Sequence, residues 1–148
     1  MKITEKQLEE MLREDKKERK QMELLPDKLK EKFKKFPLYS QDGKLGKSQV
    51  VCKYFNPYGS GTWYVIEGEP IGDNDFEFFG YVSLLENEFG YFTLSELESI
   101  QKGDSLATIE RDLFIPEEVT LEELLKNDGL LEEFERTFSN DEEGEEGK

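Results

Sequence analysis

Apolar residues fall along this chain in short clusters whose spacing changes from helical to strand-like and back. Near the start, Thr4 and Gln7 stand at the separation of a capping box, in which a hydroxyl and an amide satisfy the free backbone N–H groups of a helix start. A helix over residues 4–22 is predicted. Its apolar positions are Leu8, Met11, Leu12 and Met22, and residues 13–21 are wholly polar, so it can bury only a short stripe. Leu24, Leu25, Leu29, Phe33 and Phe36 then recur about one turn apart. Pro26 stands where a first turn tolerates it, and Pro37 is expected to end this second helix.

From Val50 the pattern becomes that of strands. Val50 to Phe55 and Thr62 to Ile66 are rich in β-branched and aromatic residues, and the turn formers Asn56 to Gly61 between them make a hairpin. Pro70 to Asp75 reads as a loop, and Phe76 to Val82 as a near-continuous apolar strand in which Gly80 lets a ring or backbone approach closely. Phe89 to Phe92 leads into a second capping box, Thr93 to Glu96, with Leu94, Leu97 and Ile100 on one helical face and Gly103 as a stop. Ala107 to Ile115 alternates and reads as the last strand. Thr120 to Glu123 is a third capping box, followed by the inward stripe Leu121, Leu124 and Leu125. After Asp128-Gly129, the residues Leu130, Leu131, Phe134 and Phe138 continue as a further helical turn or two.

These elements predict a single α+β domain: a mainly antiparallel sheet of about four strands with short helices packed on one face, preceded by a charged N-terminal helix. Residues 1–23 form the charged arm, 24–138 the domain and 139–148 a disordered acidic tail. With 148 residues and 35% hydrophobic content, one core is expected, concentrated where most of the eleven Phe, six Tyr and one Trp fall, between residues 54 and 92. Cys52 is the only cysteine, which rules out an internal disulfide and suits a reducing compartment. The N-terminus lacks a signal-peptide pattern and no apolar run approaches about 18 residues, so a cytoplasmic protein without a membrane partner is expected.

Charge changes the picture most. Residues 37–148 hold 26 acidic and 8 basic side chains, net −18, whereas the first 36 hold 12 basic and 9 acidic, net +3. Such a body repels phosphates and attracts basic protein surfaces. An ordered set of motifs then adds a likeness. Leu24-Leu25-Pro26, Gly61-Thr62-Trp63-Tyr64 with Glu67-Gly68, Phe79-Gly80-Tyr81-Val82, Gly90-Tyr91-Phe92 with Leu94-Ser95-Glu96-Leu97, and Ile109-Glu110-Arg111-Asp112 occur in that order. This string resembles the bacterial domain-of-unknown-function 2958 family over about residues 24 to 125, with the arm and the tail outside it. The resemblance implies a bacterial mobile-element setting, on plasmids, conjugative elements or phages, and brings no established activity.

The inventory of reactive groups is thin. The chain has no histidine, which removes Ser-His-Asp and Cys-His hydrolysis and His-containing zinc sites. Cys52 lies beside Lys53 on what should be a strand, so their side chains point to opposite faces and the thiol reads as structural. Gly59-Ser60-Gly61 lacks the residues of a phosphate cradle, and Asp73-Asn74-Asp75 lacks the glycine and distal glutamate of a calcium loop. Carboxylates remain. Glu67, Glu110 and Asp112, with Lys53 and Arg111 beside them, define an alternative polar site for a divalent-metal enzyme acting on nucleic acid.

A second alternative is a single-stranded nucleic-acid accessory protein that uses the basic arm and the rings of Tyr54, Trp63, Tyr64, Tyr81 and Tyr91. The acidity around those rings disfavours direct nucleic-acid binding. The expected function is therefore a non-catalytic interaction protein with no cofactor. It would bind a basic surface of a host defence or DNA-handling protein, as a nucleic-acid mimic, through Glu117, Glu118, Glu122, Glu123, Glu132, Glu133 and Glu135.

Overall fold

The computed structural model describes residues 3–11, 22–103 and 109–146, with residues 101–103 and 139–146 as backbone only. The first capping box forms in both directions: Thr4 N donates to Gln7 Oε1 at 3.0 Å and Gln7 N to Thr4 Oγ1 at 3.2 Å. It opens α1 (residues 5–11), on which Leu8 and Met11 stay exposed. The expected continuation of this helix to residue 22 lies outside the described residues. The second helix, α2 (Asp27–Phe33), has Pro26 as its N-cap, with the extended backbone that a residue just before a first turn requires.

Five strands follow: β1 (Cys52–Phe55), β2 (Thr62–Ile71), β3 (Asp75–Ser83), β4 (Asn87–Thr93) and β5 (Glu110–Arg111). They form one antiparallel sheet in the order β4-β3-β2-β1-β5. The helices α3 (Leu94–Gly103), α4 (Leu121–Asn127) and α5 (Leu131–Glu146) complete the element list. The α+β class and the antiparallel hairpins are as the sequence predicts. Several details are corrected.

The first correction is β4, which the sequence reading took only as a lead-in to α3. Gly90 interrupts its alternation, yet it pairs with Gly80 on β3, where a Cβ would stand 2.1 Å from the Tyr64 carbonyl oxygen. Gly80 thus permits the close backbone approach that its position suggested. The second is the segment read as a loop from Pro70, which continues β2 to Ile71. Beyond Val65 no strand pairs with the β1 side of β2, so the N–H that Pro70 lacks leaves no ladder bond unmade. The last strand in turn shrinks to two residues, because Phe114 N bonds to Asp112 Oδ1 at 2.9 Å and turns the chain away. Its expected start at Ala107 lies outside the described residues.

The third correction is that helices cover both faces of the sheet instead of one. Trp63 and Val65 of β2, with Phe78 and Phe92, pack against Leu24, Leu25, Phe33 of α2 and Leu97 of α3. Tyr64 and Ile66, with Tyr81, pack against Leu121, Leu124 and Leu125 of α4 and Phe134 of α5. Successive residues of a strand point to opposite sides, and β2 is apolar at both parities, so each side demands a helical cover. Rings dominate both cores. Phe33 lies 5.3 Å from Phe76 and 5.5 Å from Phe78, and across the sheet Tyr81 meets Phe134 edge-on at 5.2 Å.

Two local features place the polar residues. The register shifts between Val65, opposite Gly80, and Glu67, opposite Phe79, so Ile66 is the extra residue of a β-bulge. Glu67 thereby shares the face of Ile66 and Phe79. Farther along, Val50 N donates to the Val119 carbonyl and Leu121 N to the Ser48 carbonyl, and Thr120 and Glu123 form a complete capping box. This ties the start of α4 to the sheet margin. The helix α5 runs past residue 139, where the sequence reading placed the start of the tail. Among the described residues no helix is long and apolar enough to cross a membrane.

Candidate functional site: an acidic helical face and three polar clusters

The seven glutamates singled out by the sequence all lie on the surface, in the turn before α4, on α4 and at the start of α5. These helices bury their leucines and phenylalanines against the sheet, which turns the intervening positions outward at helical spacing. None of the seven has an ion-pair partner among the described residues. They are not equivalent, however. Glu123 closes the capping box with Thr120, and Glu133 accepts a bond from Asn87 Nδ2 at 2.8 Å. Among the described residues Glu117, Glu118, Glu122, Glu132 and Glu135 have no such hydrogen bond, and Glu118 holds a left-handed backbone at φ 59°. Just upstream, Phe114 is 90% exposed and Leu113 62%, an apolar corner that the sequence reading assigned to a strand.

A first polar cluster forms at the β1–β5 margin, on the same sheet face. Lys53 points away from Cys52 as predicted and stands 2.9 Å from Asp128 Oδ2 and 3.8 Å from Asp112 Oδ2, with its ammonium 5.5 Å from the Tyr64 ring centroid. The Tyr64 hydroxyl donates to the same Asp128 oxygen. Burial, and then Asp128, push the Tyr64 phenol far above its ordinary range. Of the alternative site residues, the structure joins Lys53 and Asp112 here, and Asp128 is the member that sequence reasoning missed. In the sequence Asp128 stands only beside Gly129 between two helical stretches, and nothing in that local pattern announces a partner 75 residues away.

Glu67 belongs to a second cluster. Although 1% exposed, it accepts from Tyr39 N at 2.8 Å and from Gln41 N at 2.7 Å, one bond to each oxygen. Backbone donors of this kind are what allow a carboxylate to sit inside an apolar face. Gln41 completes the knot, its side chain bonding the carbonyls of Gln49 and Ile66 and the Gln49 N–H. Tyr39, at φ 74°, and Tyr91 lie outermost, their ring centroids 6.4 Å apart. Hydrogen bonding to Tyr39 pushes the Tyr91 phenol up to about 12. Of the five rings considered for nucleic-acid stacking, Tyr54, Trp63, Tyr64 and Tyr81 are core residues and Tyr91 alone is exposed.

Arg111 faces the other side of the sheet. It shares a pocket of about 150 Å³ with Cys52 and with Lys32, one of the basic residues of the second helix. Burial pushes the Cys52 thiol up to about 12, which makes it inert as a nucleophile at neutral pH. Glu110 lies opposite Phe55, on the face away from Arg111. The five alternative residues are thus dispersed over four places, and among the described residues no group of three or more His, Cys, Asp or Glu could hold a metal ion.

A broader cleft of about 910 Å³ opens between α2 and the β2–β3 turn, floored by Phe33, Gly68 and Phe76. One of its carboxylates, Asp75, receives the Ser95 hydroxyl and amide, and the hydroxyl bond holds Asp75 below its usual carboxylate range. The cleft gathers no reactive set.

Fold and surface together define a small two-faced antiparallel α+β domain with an uncompensated acidic side. The chain matches the family described as "Protein of unknown function (DUF2958)" over residues 3–128, and it belongs to that family. The match extends the resemblance read from the motifs, because it takes in the N-terminal arm from residue 3. It ends at Asp128, so α5 with Glu132, Glu133 and Glu135 lies beyond it. Neither the curated proteins nor the solved structures contain a match to this chain.

Proposed function

We propose that this protein is a non-catalytic interaction protein that presents an acidic helical face to a basic protein surface. The observation that carries the reading is the turn–α4–α5 surface, where seven glutamates are exposed and none is ion-paired among the described residues. Uncompensated carboxylates repeated along helices offer the charge spacing that a phosphate-binding groove accepts. Phe114, exposed three residues before Glu117, supplies the aromatic anchor that protein interfaces favour. The partner would be a nucleic-acid-handling or defence protein of a bacterial host, engaged by mimicry of its natural polyanion, which accords with carriage on a mobile element.

The titration pattern supports a role without catalysis. Among the described residues, the groups that depart from their ordinary values do so away from neutrality: Cys52 and Tyr54, Tyr64, Tyr81 and Tyr91 upward by burial or hydrogen bonding, and Asp75 downward. A general acid or base is tuned the other way.

The test is affinity capture from host lysate at low salt with the full chain, alongside a variant carrying Glu117→Gln, Glu118→Gln, Glu122→Gln, Glu132→Gln and Glu135→Gln. The reading expects a partner that is released by salt, displaced by duplex DNA and not retained by the variant. Equal retention by the two proteins would refute it.

A further inference from the structure

Within a chain of net charge −15, two cations without a carboxylate partner among the described residues share one small cavity. Arg111 and Lys32 line it together with Cys52, Leu29 and Leu113. The neighbouring lysines of α2 are paired differently: Lys34 binds Glu31 at 2.7 Å and Lys30 approaches Asp27 at 3.9 Å. Asp112 also borders the cavity, but one of its oxygens accepts from Phe114 N and the other lies 3.8 Å from Lys53.

The guanidinium is under-used. Among the described residues, Nε of Arg111 is buried with no hydrogen-bond partner, and Nη2 has a single 3.5 Å contact, with the Glu23 carbonyl. A guanidinium carries five donors in a planar fork, and buried donors are normally satisfied. The cavity, at about 150 Å³, is several times the roughly 30 Å³ share of one water, so it has room for a small oxyanion.

We infer that Arg111 and Lys32 form a binding site for a small oxyanion, the chemistry common to a phosphate and a carboxylate. The fork of Arg111 engages two oxygens and the Lys32 ammonium a third, while Leu29, Val51 and Leu113 shield the contacts from solvent. Both cations line the cavity, and both stand close enough to the Cys52 thiol to act on it electrostatically. The site lies across the sheet from the acidic face, so its fate and that of the proposed protein interface are separable.

Amide and arginine side-chain NMR spectra of the full chain, titrated with inorganic phosphate or with acetate against chloride at matched ionic strength, test the inference. Saturable shifts confined to Arg111 Nε–H, Cys52 and Leu113 are expected with phosphate or acetate, and whichever binds more tightly identifies the source of the oxygen atoms. Lys32→Gln, on the half-exposed side of α2, should weaken binding by roughly tenfold, the equivalent of one charge-assisted contact, and Arg111→Gln should abolish it. A dispersed spectrum for each variant verifies folding. Shifts no larger than those from chloride, or shifts that persist unchanged in both variants, would overturn the assignment.

Discussion

Helices close this sheet on both sides, but they bring opposite charge to the two sides. Residues 27–35, on and just after α2, carry five lysines against Asp27 and Glu31, net +3, whereas residues 117–136, around α4 and the start of α5, carry eight acidic and two basic side chains, net −6. Polar residues at the margin repeat the contrast. On the acidic side Lys53 is enclosed by Asp112, Asp128 and the Tyr64 ring, while on the other side Arg111 and Lys32 line one pocket and neither has an ion pair among the described residues. The lesson is that a net charge of −15 describes an average over a polarised body. A partner reads a face.

The contrast depends on the two faces belonging to one rigid sheet, and the largest effect comes from attacking that sheet. Gly80→Ala drives a methyl into the Tyr64 carbonyl at the β2–β3 pairing, so a loss of about 3 kcal/mol or more, or no folded protein at all, is expected in urea denaturation. Near wild-type stability would mean that the strands part more easily than the packing indicates.

Next come the two cores taken separately. Phe33→Ala and Leu125→Ala each remove a fully buried side chain, with expected costs of about 3–5 and 2–5 kcal/mol in the same assay. Because they lie on opposite faces, the double variant should lose the sum to within about 0.5 kcal/mol. A large departure from additivity would show that the faces are coupled through the sheet.

Asp128→Asn then probes the margin. It removes the charge at 2.9 Å from Lys53 and leaves only the 3.8 Å contact with Asp112, so a loss of about 1–2 kcal/mol is expected, shrinking with added salt. No change in the urea midpoint would rank this cluster with surface ion pairs of no consequence.

The smallest effect at neutral pH concerns Cys52. Its thiol is held protonated up to about pH 12 in the folded protein, whereas an unfolded thiol ionises near 9.0. The native state therefore binds the extra proton across that window, and the stabilising contribution, complete below pH 9, is lost as pH rises towards 12. Compared with Cys52→Ala, the parent should lose stability more steeply between these limits, and a disulfide reagent should leave the native thiol unmodified at pH 8. Parallel pH curves would mean that the thiol is solvated.

Much of the fold was legible because period and punctuation agree. Thr4, Thr93 and Thr120 each accept the amide three residues on, and the hairpin around Asn56 to Gly61 forms where its turn residues stand. What escaped was long-range. The strand β4 hides behind Gly90, whose place makes sense only opposite Gly80, and the second helical layer follows from both parities of β2 being covered, which neither helix announces by itself. For the sites, exposure of Glu122, Glu123, Glu132, Glu133 and Glu135 followed from helical phase, whereas Glu117 and Glu118 lie in the turn before α4, and the opposite orientation of Lys53 and Cys52 followed from strand alternation. Asp128, Gln41 and Lys32 carry no comparable mark, since their roles depend on residues brought to them by the completed sheet.

The bulge at Ile66 has one more effect. By turning Glu67 inward it equips the sheet with a peg, and the segment from Tyr39 to Gln41 is sewn on by that side chain instead of by a neighbouring strand. Because the peg grips main-chain amides, its hold does not depend on the side chains at positions 39 and 41, although Gln41 adds its own bonds to Gln49 and Ile66. Proline at position 39 or 41 is the exception, since it removes the hydrogen that the peg holds.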